Sequence, residues 1–201
     1  MGYKVSLKDK ILFDNRLITP EKKEYVLLNK PKDFITTTRD ERGRRTVMNL
    51  IDRASKSRLL PVGRLDRNTT GLLLFTNDGD LAKKLTHPKH NIKKLYHAIL
   101  NANLKHKDLK KIRQGIELED GFIKADAIDY VNNSPKSEVG IEIHSGKNRI
   151  VRRIFESLGY HVIKLDRVVF AGITKKDLPR SHWRFLTERE VAKLKTGSLH
   201  D

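Results

Sequence analysis

The sequence predicts an α+β protein in which a mixed, mostly antiparallel central sheet carries flanking helices. Short apolar or alternating runs outnumber helical patterns along the chain. Asp120-Gly121, between Ile116-Glu-Leu-Glu119 and the run Phe122 to Tyr130, is the strongest kind of short hairpin signal. Many strands with a few helices between them and hairpin connections define this class. With 201 residues and 37% hydrophobic content, the chain can build one substantial core or two small subdomains, which excludes disorder throughout.

Taken in order, Lys4 to Ile18 carries Val5, Leu7, Ile11 and Phe13 with turn signals at Asp9-Lys10 and Asp14-Asn15, which predicts a small strand or hairpin. Residues 19–24 read as a linker. Tyr25-Val-Leu-Leu28 is a buried strand ending at Asn29-Lys30-Pro31, and Ile35 to Thr38 can continue in the sheet. Val47 to Ile51 has helical character. Val62 and Leu65 read as the end of one strand, and Gly71 to Phe75 is a continuously apolar buried strand. Asp80 to Leu85 is a short helix stopped by His87-Pro88, and Lys94 to Leu100 is a strand. Leu104 to Gln114, followed by Gly115, is a helix with a C-terminal stop.

Glu138 to His144 alternates as a half-buried strand does. The turn Ser145-Gly146-Lys147 leads into a helix with Ile150, Val151, Ile154, Phe155 and Leu158 on one face and Arg149, Arg152, Arg153 and Glu156 on the other, closed by Gly159. Val162 to Phe170 is a further strand. Thr187 and Glu190 form a capping box for a last helix to Leu194, and residues 196–201 are a tail.

Lys and Arg number 42 against 25 Asp and Glu, a net charge of +17 whose field attracts a polyanion and repels an acidic partner. Nucleic acid is therefore the first partner indicated. The loop Arg39 to Arg45 reads either as a solvated loop or as one that contacts RNA. No long apolar segment and no strongly amphipathic basic helix speaks for a membrane, and Met1-Gly-Tyr-Lys-Val lacks the apolar core of a signal peptide. The absence of cysteine removes disulfides, thiol nucleophiles and thiolate zinc sites, and suits a cytoplasmic protein. The eight histidines show no metal-binding spacing, so no metal is expected.

The stretch Pro61 to Gly79 organises the rest. Between its two apolar runs lies a polar segment with a single carboxylate, Asp66, flanked by Arg64 and Arg67, which favour its ionised form. Where a buried strand opens into a loop, such a side chain is held yet can reach a cleft. Spacing alone also admits an Asx turn or a backbone cap at Asp66, the commoner use of such a residue. Likewise Tyr96 can be a strand aromatic packed in the core, and Arg152 a solvated helix arginine paired with Glu156 four residues on.

Gly63-Arg-Leu-Asp66, Thr70-Gly-Leu-Leu-Leu74 and Thr76-Asn-Asp-Gly79 closely resemble the central motif of the pseudouridine synthases, in the ribosomal-RNA-modifying branch named after the small-subunit enzyme. Further motifs follow in order: Asn29-Lys30-Pro31, Tyr96, Gly146 to Ile154, and Leu165 with Arg167. The resemblance runs from about Tyr25 to Lys193. It implies a catalytic domain over residues 25–195, with two subdomains around an RNA cleft and Asp66 on its floor, that isomerises a specific uridine of ribosomal RNA, with large-subunit RNA favoured. It implies Asp66 as the catalytic carboxylate, Arg152 as its basic partner and Tyr96 as the aromatic stacked on the flipped base. Arg64 would fill the space that base vacates, Leu165 would wall the pocket, and Lys30, Lys147, Arg149, Arg153 and Arg167 would bind substrate. No cofactor is implied, because the isomerisation is redox-neutral. The partner is ribosomal RNA or a ribosomal precursor particle, and the protein a monomer.

Many members of this family carry a small RNA-binding domain ahead of the catalytic part, and Leu7 to Ile11 resembles its last strand, so residues 1–18 read as a remnant of that domain or as an extension of the catalytic sheet. Two other classes compete. A non-catalytic RNA-binding protein accounts for the charge but does not require Asp66, Tyr96 and Arg152 on one chain. An aspartate-based hydrolase or phosphotransferase has only Asp78 and Asp80 in a glycine turn, without a second acidic cluster for magnesium.

Overall fold

The computed structural model describes residue 6 and residues 9–18 and 21–197. Strands β1 (Ile11–Phe13) and β2 (Arg16–Ile18) pair as the expected hairpin, with Asp14 and Asn15 both at positive φ, as a tight two-residue turn requires. Leu7 and Lys8, on which the remnant-domain reading leans, and residues 19–20 of the linker lie outside the described residues.

The strands that follow are β3 (Tyr25–Lys30), β4 (Leu60–Pro61), β5 (Thr69–Thr76), β6 (Lys94–Leu100), β7 (Ile116–Leu118), β8 (Gly121–Ile123), β9 (Ala127–Tyr130), β10 (Glu138–Ile143), β11 (Val162–Phe170), β12 (Ile173–Thr174) and β13 (Trp183–Phe185). The helices are α1 (Gly79–Thr86), α2 (His106–Gln114), α3 (Ile150–Glu156) and α4 (Glu188–Thr196). The main sheet runs β13-β3-β5-β11-β6-β10-β9, with β4 on β5 and β12 on β11. Its neighbours are antiparallel except β5 and β11, which pair in parallel, so the sheet is mixed and mostly antiparallel as expected.

The two halves of this sheet bury their residues differently, and the sequence patterns record the difference. In β5, Leu72 and Leu74 join a core with Leu81 and Leu85 of α1 and Leu194 of α4, while Leu73 and Phe75 enter a second core with Val47 and Ile51. Burial on both faces requires the unbroken apolar run of β5. In β10 only Val139, Ile141 and Ile143 turn inward, toward Leu109 and Ile112 of α2 and Ile154 and Phe155 of α3. Each such side chain removed from water contributes about 1.5–3 kcal/mol. Helix starts follow local capping: the Asp78 side chain accepts from Leu81 N, and Thr187 with Glu190 forms the expected capping box.

Three expectations need correction. The run Phe122 to Tyr130 is not one strand: β8 pairs with β7, whereas β9 joins the main sheet on β10. The chain changes partner at Asp126, whose N–H donates to the Glu142 carbonyl and whose carboxylate lies 2.8 Å from His144 Nδ1. Val62 and Leu65 are buried but belong to a loop, because β4 ends at Pro61. Ile35 to Thr38 contributes only an isolated bridge from Ile35 to Thr46. Among the described residues no helix is long and apolar enough to cross a membrane.

Candidate active site

The joint between the two halves of the sheet is the short parallel pairing of β5 with β11, which matches Leu165 with Thr69, Asp166 with Thr70 and Arg167 with Gly71. On the far side of β11, Arg167 lies opposite Tyr96 and Leu165 opposite Ala98. Directly paired residues project from the same face. Two rows therefore cross three strands on one face: Tyr96, Arg167, Gly71 and Ala98, Leu165, Thr69. Of these, Tyr96, Arg167, Leu165 and Thr69 line a cavity of about 300 Å³, walled also by Arg64, Leu65, Asp66 and the segment 145–151. This is the lower end of the range for small-molecule sites and suits one nucleoside rather than a duplex.

Asp66 stands at the cavity rim in the loop between β4 and β5, with its side chain 40% exposed. The backbone beneath it is held by Lys30. That lysine is wholly buried, and its Nζ donates to the carbonyls of Pro31 (3.0 Å), Asp66 (3.1 Å), Arg67 (3.3 Å) and Thr69 (2.9 Å). Burial pulls its pKa down to about 8, against the opposing pull of Asp66 and Asp33. Lys30 therefore cannot touch substrate, contrary to the expectation from its motif; it holds the loop that presents Asp66. Lys30→Met keeps the stem but leaves the carbonyls without their donor, and is expected to cost about 2–4 kcal/mol of stability. Chemical denaturation checks this, and an unchanged midpoint at constant m would show that the loop holds itself.

Which cation reaches Asp66 also differs from expectation. Arg149 Nη1 lies 3.9 Å from Asp66 Oδ2, and its Nη2 lies 3.6 Å from Glu156 Oε1. Arg152 is buried instead of solvated: its Nη1 donates to the Val162 carbonyl at 2.7 Å, and its Nε has no hydrogen-bond partner among the described residues. The arginine stem packs between helix and sheet and its head finds a carbonyl at the start of β11. Burial, followed by the nearby Arg149 charge, lowers its pKa, with Asp66 and Glu156 pulling the other way. Arg149, at φ 48°, caps α3 in the left-handed region and so stands off the helix. Between side chains this exposed the ion pair is worth under about 1 kcal/mol. Its importance lies in placing charge, not in stabilising the fold.

The remaining candidates divide. Leu165 is buried and lies on the cavity wall. Tyr96 is half-buried between two cores, and its hydroxyl has no hydrogen-bond partner among the described residues, unlike those of Tyr25, Tyr130 and Tyr160. Buried tyrosines ordinarily find one, so this hydroxyl is left available to a ligand. Arg64 is exposed on the wall, without an ion-pair partner among the described residues. Arg67 pairs with Asp33 at 3.2 Å and not with Asp66.

Arg167 is buried; its Nε donates to the Leu72 carbonyl and its guanidinium lies 4.7 Å from the Phe170 ring centroid. Its Nη2 and the Thr69 hydroxyl, both beside the cavity, are buried without partners among the described residues. Lys147 lines the cavity with its ammonium on the Asp120 carbonyl. Arg153 does not line it; it chelates the Asp120 carboxylate at 2.6 and 3.0 Å, which holds that acid down at about 2. Among the lining residues that the sequence reading did not single out are Thr69 and Lys94. The strand period of two places Lys94 on the same face as Tyr96, a signal that was present in the sequence.

A family model described as RNA pseudouridylate synthase matches residues 24–157. An uncharacterized RNA pseudouridine synthase of Aquifex aeolicus is 39% identical over 197 residues, covering 96% of this chain and 79% of that protein. The ribosomal large subunit pseudouridine synthase B of Bacillus subtilis is 37% identical over 203 residues, covering 100% of this chain and 83% of its own length. The crystal structure of a pseudouridylate synthase superposes with a TM-score of 0.77 at 29% identity, over 96% of this chain and 83% of that one.

Proposed function

The chain belongs to the RNA pseudouridylate synthase family, and from that membership we propose that it converts a uridine of ribosomal RNA, in the large subunit, to pseudouridine. The observation that carries the reading is the convergence of Asp66, Tyr96, Arg149, Leu165 and Arg167, from separate segments of the chain, on one cavity the size of a nucleoside. The large-subunit assignment is supported by the names of relatives from Bacillus subtilis and Vibrio cholerae. The target nucleotide is flipped into the cavity at a cost of a few kcal/mol, offset by stacking and phosphate contacts.

In this reading Asp66 supplies the carboxylate that assists departure of the base from the sugar, and Tyr96 stacks on the detached base with its hydroxyl toward it. Leu165 closes the wall, and Arg64, Lys147 and Arg149 take phosphates at the rim. Arg152 and Arg167 act from below, as buried cations that bias the cavity toward anionic groups. The base leaves through one atom and returns through carbon 5 with no net redox change, so the reaction calls on no cofactor. The protein acts as a monomer in the cytoplasm.

Tritium release from carbon-5-labelled transcripts of large- and small-subunit ribosomal RNA tests the activity. Release from the large-subunit transcript is expected, and its absence from both would overturn the reading. Binding should weaken with salt, with a slope of about 0.7–0.9 in log K per log salt for each phosphate neutralised. Contacts from Arg64, Lys147 and Arg149 alone give a slope of roughly 2–3. A filter-binding series at several salt concentrations measures it, and a flat line would reject the phosphate contacts.

A further inference from the structure

Lys94 opens β6 on the cavity wall, opposite Ile143 at the end of β10 and Phe170 at the end of β11. Its side chain emerges where β10 gives way to the segment 144–149. There Nζ donates to the carbonyl of His144 at 2.8 Å and to that of Ser145 at 3.2 Å. Among the described residues no carboxylate lies within ion-pair distance of it. Burial, then Arg167, depresses its pKa to about 8, against the pull of Asp126. The other charges around it are those of the shared cavity: Asp66, Arg64, Lys147 and Arg149. A methionine would fill similar space without desolvating a charge. The two carbonyls are what the ammonium adds.

Those carbonyls begin a turn whose other fastenings are side-chain contacts to residues on either side of β8, His144 Nδ1 to the Asp126 carboxylate at 2.8 Å and Lys147 Nζ to the Asp120 carbonyl at 2.7 Å. Among the described residues, Lys94 alone ties its first backbone carbonyls to the cavity wall. A Cβ built on Gly146 would meet no atom within 4 Å, and Lys147 N–H reaches only the Ser145 hydroxyl, at 3.2 Å. The turn ends at Arg149, which holds φ 48° without a side-chain cap. A non-glycine residue in that region is strained and persists only where its surroundings hold it. Released at its start, the turn would relax Arg149 toward the right-handed region and swing its guanidinium away from Asp66.

We propose that Lys94 is a positioning residue of this active site: by donating to the His144 and Ser145 carbonyls it sets the 144–149 turn and so delivers Arg149 to Asp66. The inference rests on the reading of Asp66 as the reacting carboxylate. Kinetics of Lys94→Met, Lys94→Arg, Arg149→Ala and the Lys94→Met/Arg149→Ala double variant on the same RNA transcript test it. Lys94→Met is expected to lower kcat about tenfold and to raise KM less, by about two- to threefold, since a displaced Arg149 loses one of the rim's phosphate contacts while its misplaced charge beside Asp66 disturbs the reacting geometry. Lys94→Arg, which keeps the donors, restores most of the loss.

In the Arg149→Ala background Lys94→Met should change kcat by less than about twofold, because the two residues act through one contact. Additive losses, or no rescue by arginine, would overturn the proposal. If Lys94→Met does not fold, Lys94→Gln, with an amide able to reach one carbonyl, takes its place under the same non-additivity criterion. Asp66→Asn assayed alongside separates the two failures: an active Asp66→Asn protein removes the carboxylate reading, whereas an inactive one with additive Lys94 and Arg149 losses removes only this inference.

Discussion

Asp66→Asn abolishes tritium release from ribosomal RNA, with kcat falling by at least about 10³-fold, while the protein stays folded and binds the same RNA. The expectation comes from how little of the fold depends on the carboxylate. Its one polar contact among the described residues is Arg149 at 3.9 Å, between partially exposed side chains. The hydrogen bonds that shape the loop go to the Asp66 backbone carbonyl, from Lys30 Nζ and Thr69 N–H. Asparagine keeps the size of the side chain and leaves those bonds in place, so stability should change by no more than about 0.5 kcal/mol. RNA affinity should hold or rise, since a negative charge is removed from a basic rim. Substantial turnover by this variant, with wild-type contamination excluded, would remove Asp66 as the reacting carboxylate.

Gly71→Ala unfolds the joint of the sheet. Gly71 holds φ 105° in β5, and a Cβ there would sit 2.3 Å from the carbonyl oxygen of Arg167 and 2.5 Å from its nitrogen. Both obstacles are backbone atoms of the neighbouring strand, so no side chain can swing aside. The strained conformation costs about 1–3 kcal/mol, and the forced displacement about 1–3 more. The sum, roughly 2–6 kcal/mol, is a large part of the stability of an ordinary domain. At about 2–4 °C per kcal/mol for a chain of this size, the melting temperature should fall by on the order of 10 °C. Because Gly71, Arg167 and Tyr96 lie in one row, residual folded protein should also have lost activity. A variant that melts with wild type would show that β5 and β11 can part without consequence, against the geometry of their pairing.

The sequence by itself determined those elements whose causes lie within a few residues. The bounds of β6 and β11, the helix start at Thr187 and the hairpin turn at Asp14-Asn15 follow from period, cap and turn chemistry that neighbouring residues supply, whereas the hairpin signalled at Asp120-Gly121 turns one residue earlier, at Glu119-Asp120, with Gly121 already paired to Leu118. Asp66 was legible as a candidate because the loop that exposes it is bounded by apolar runs on the same stretch of chain. The site's electrostatics were not legible in that way. Lys30 looks like any strand-end lysine until the loop 66–69 folds over it, and Arg152 and Arg149 differ by three positions that the helical pattern places on one polar face. The tertiary structure decided between them: packing against β11 drew Arg152 into the interior, and a left-handed residue at the helix start left Arg149 to meet Asp66. The parallel joint of β5 with β11 and the divided paths of β8 and β9 were decided at the same level, because strand partners far apart in sequence are selected by the burial of whole faces, a free energy that no local window of residues contains.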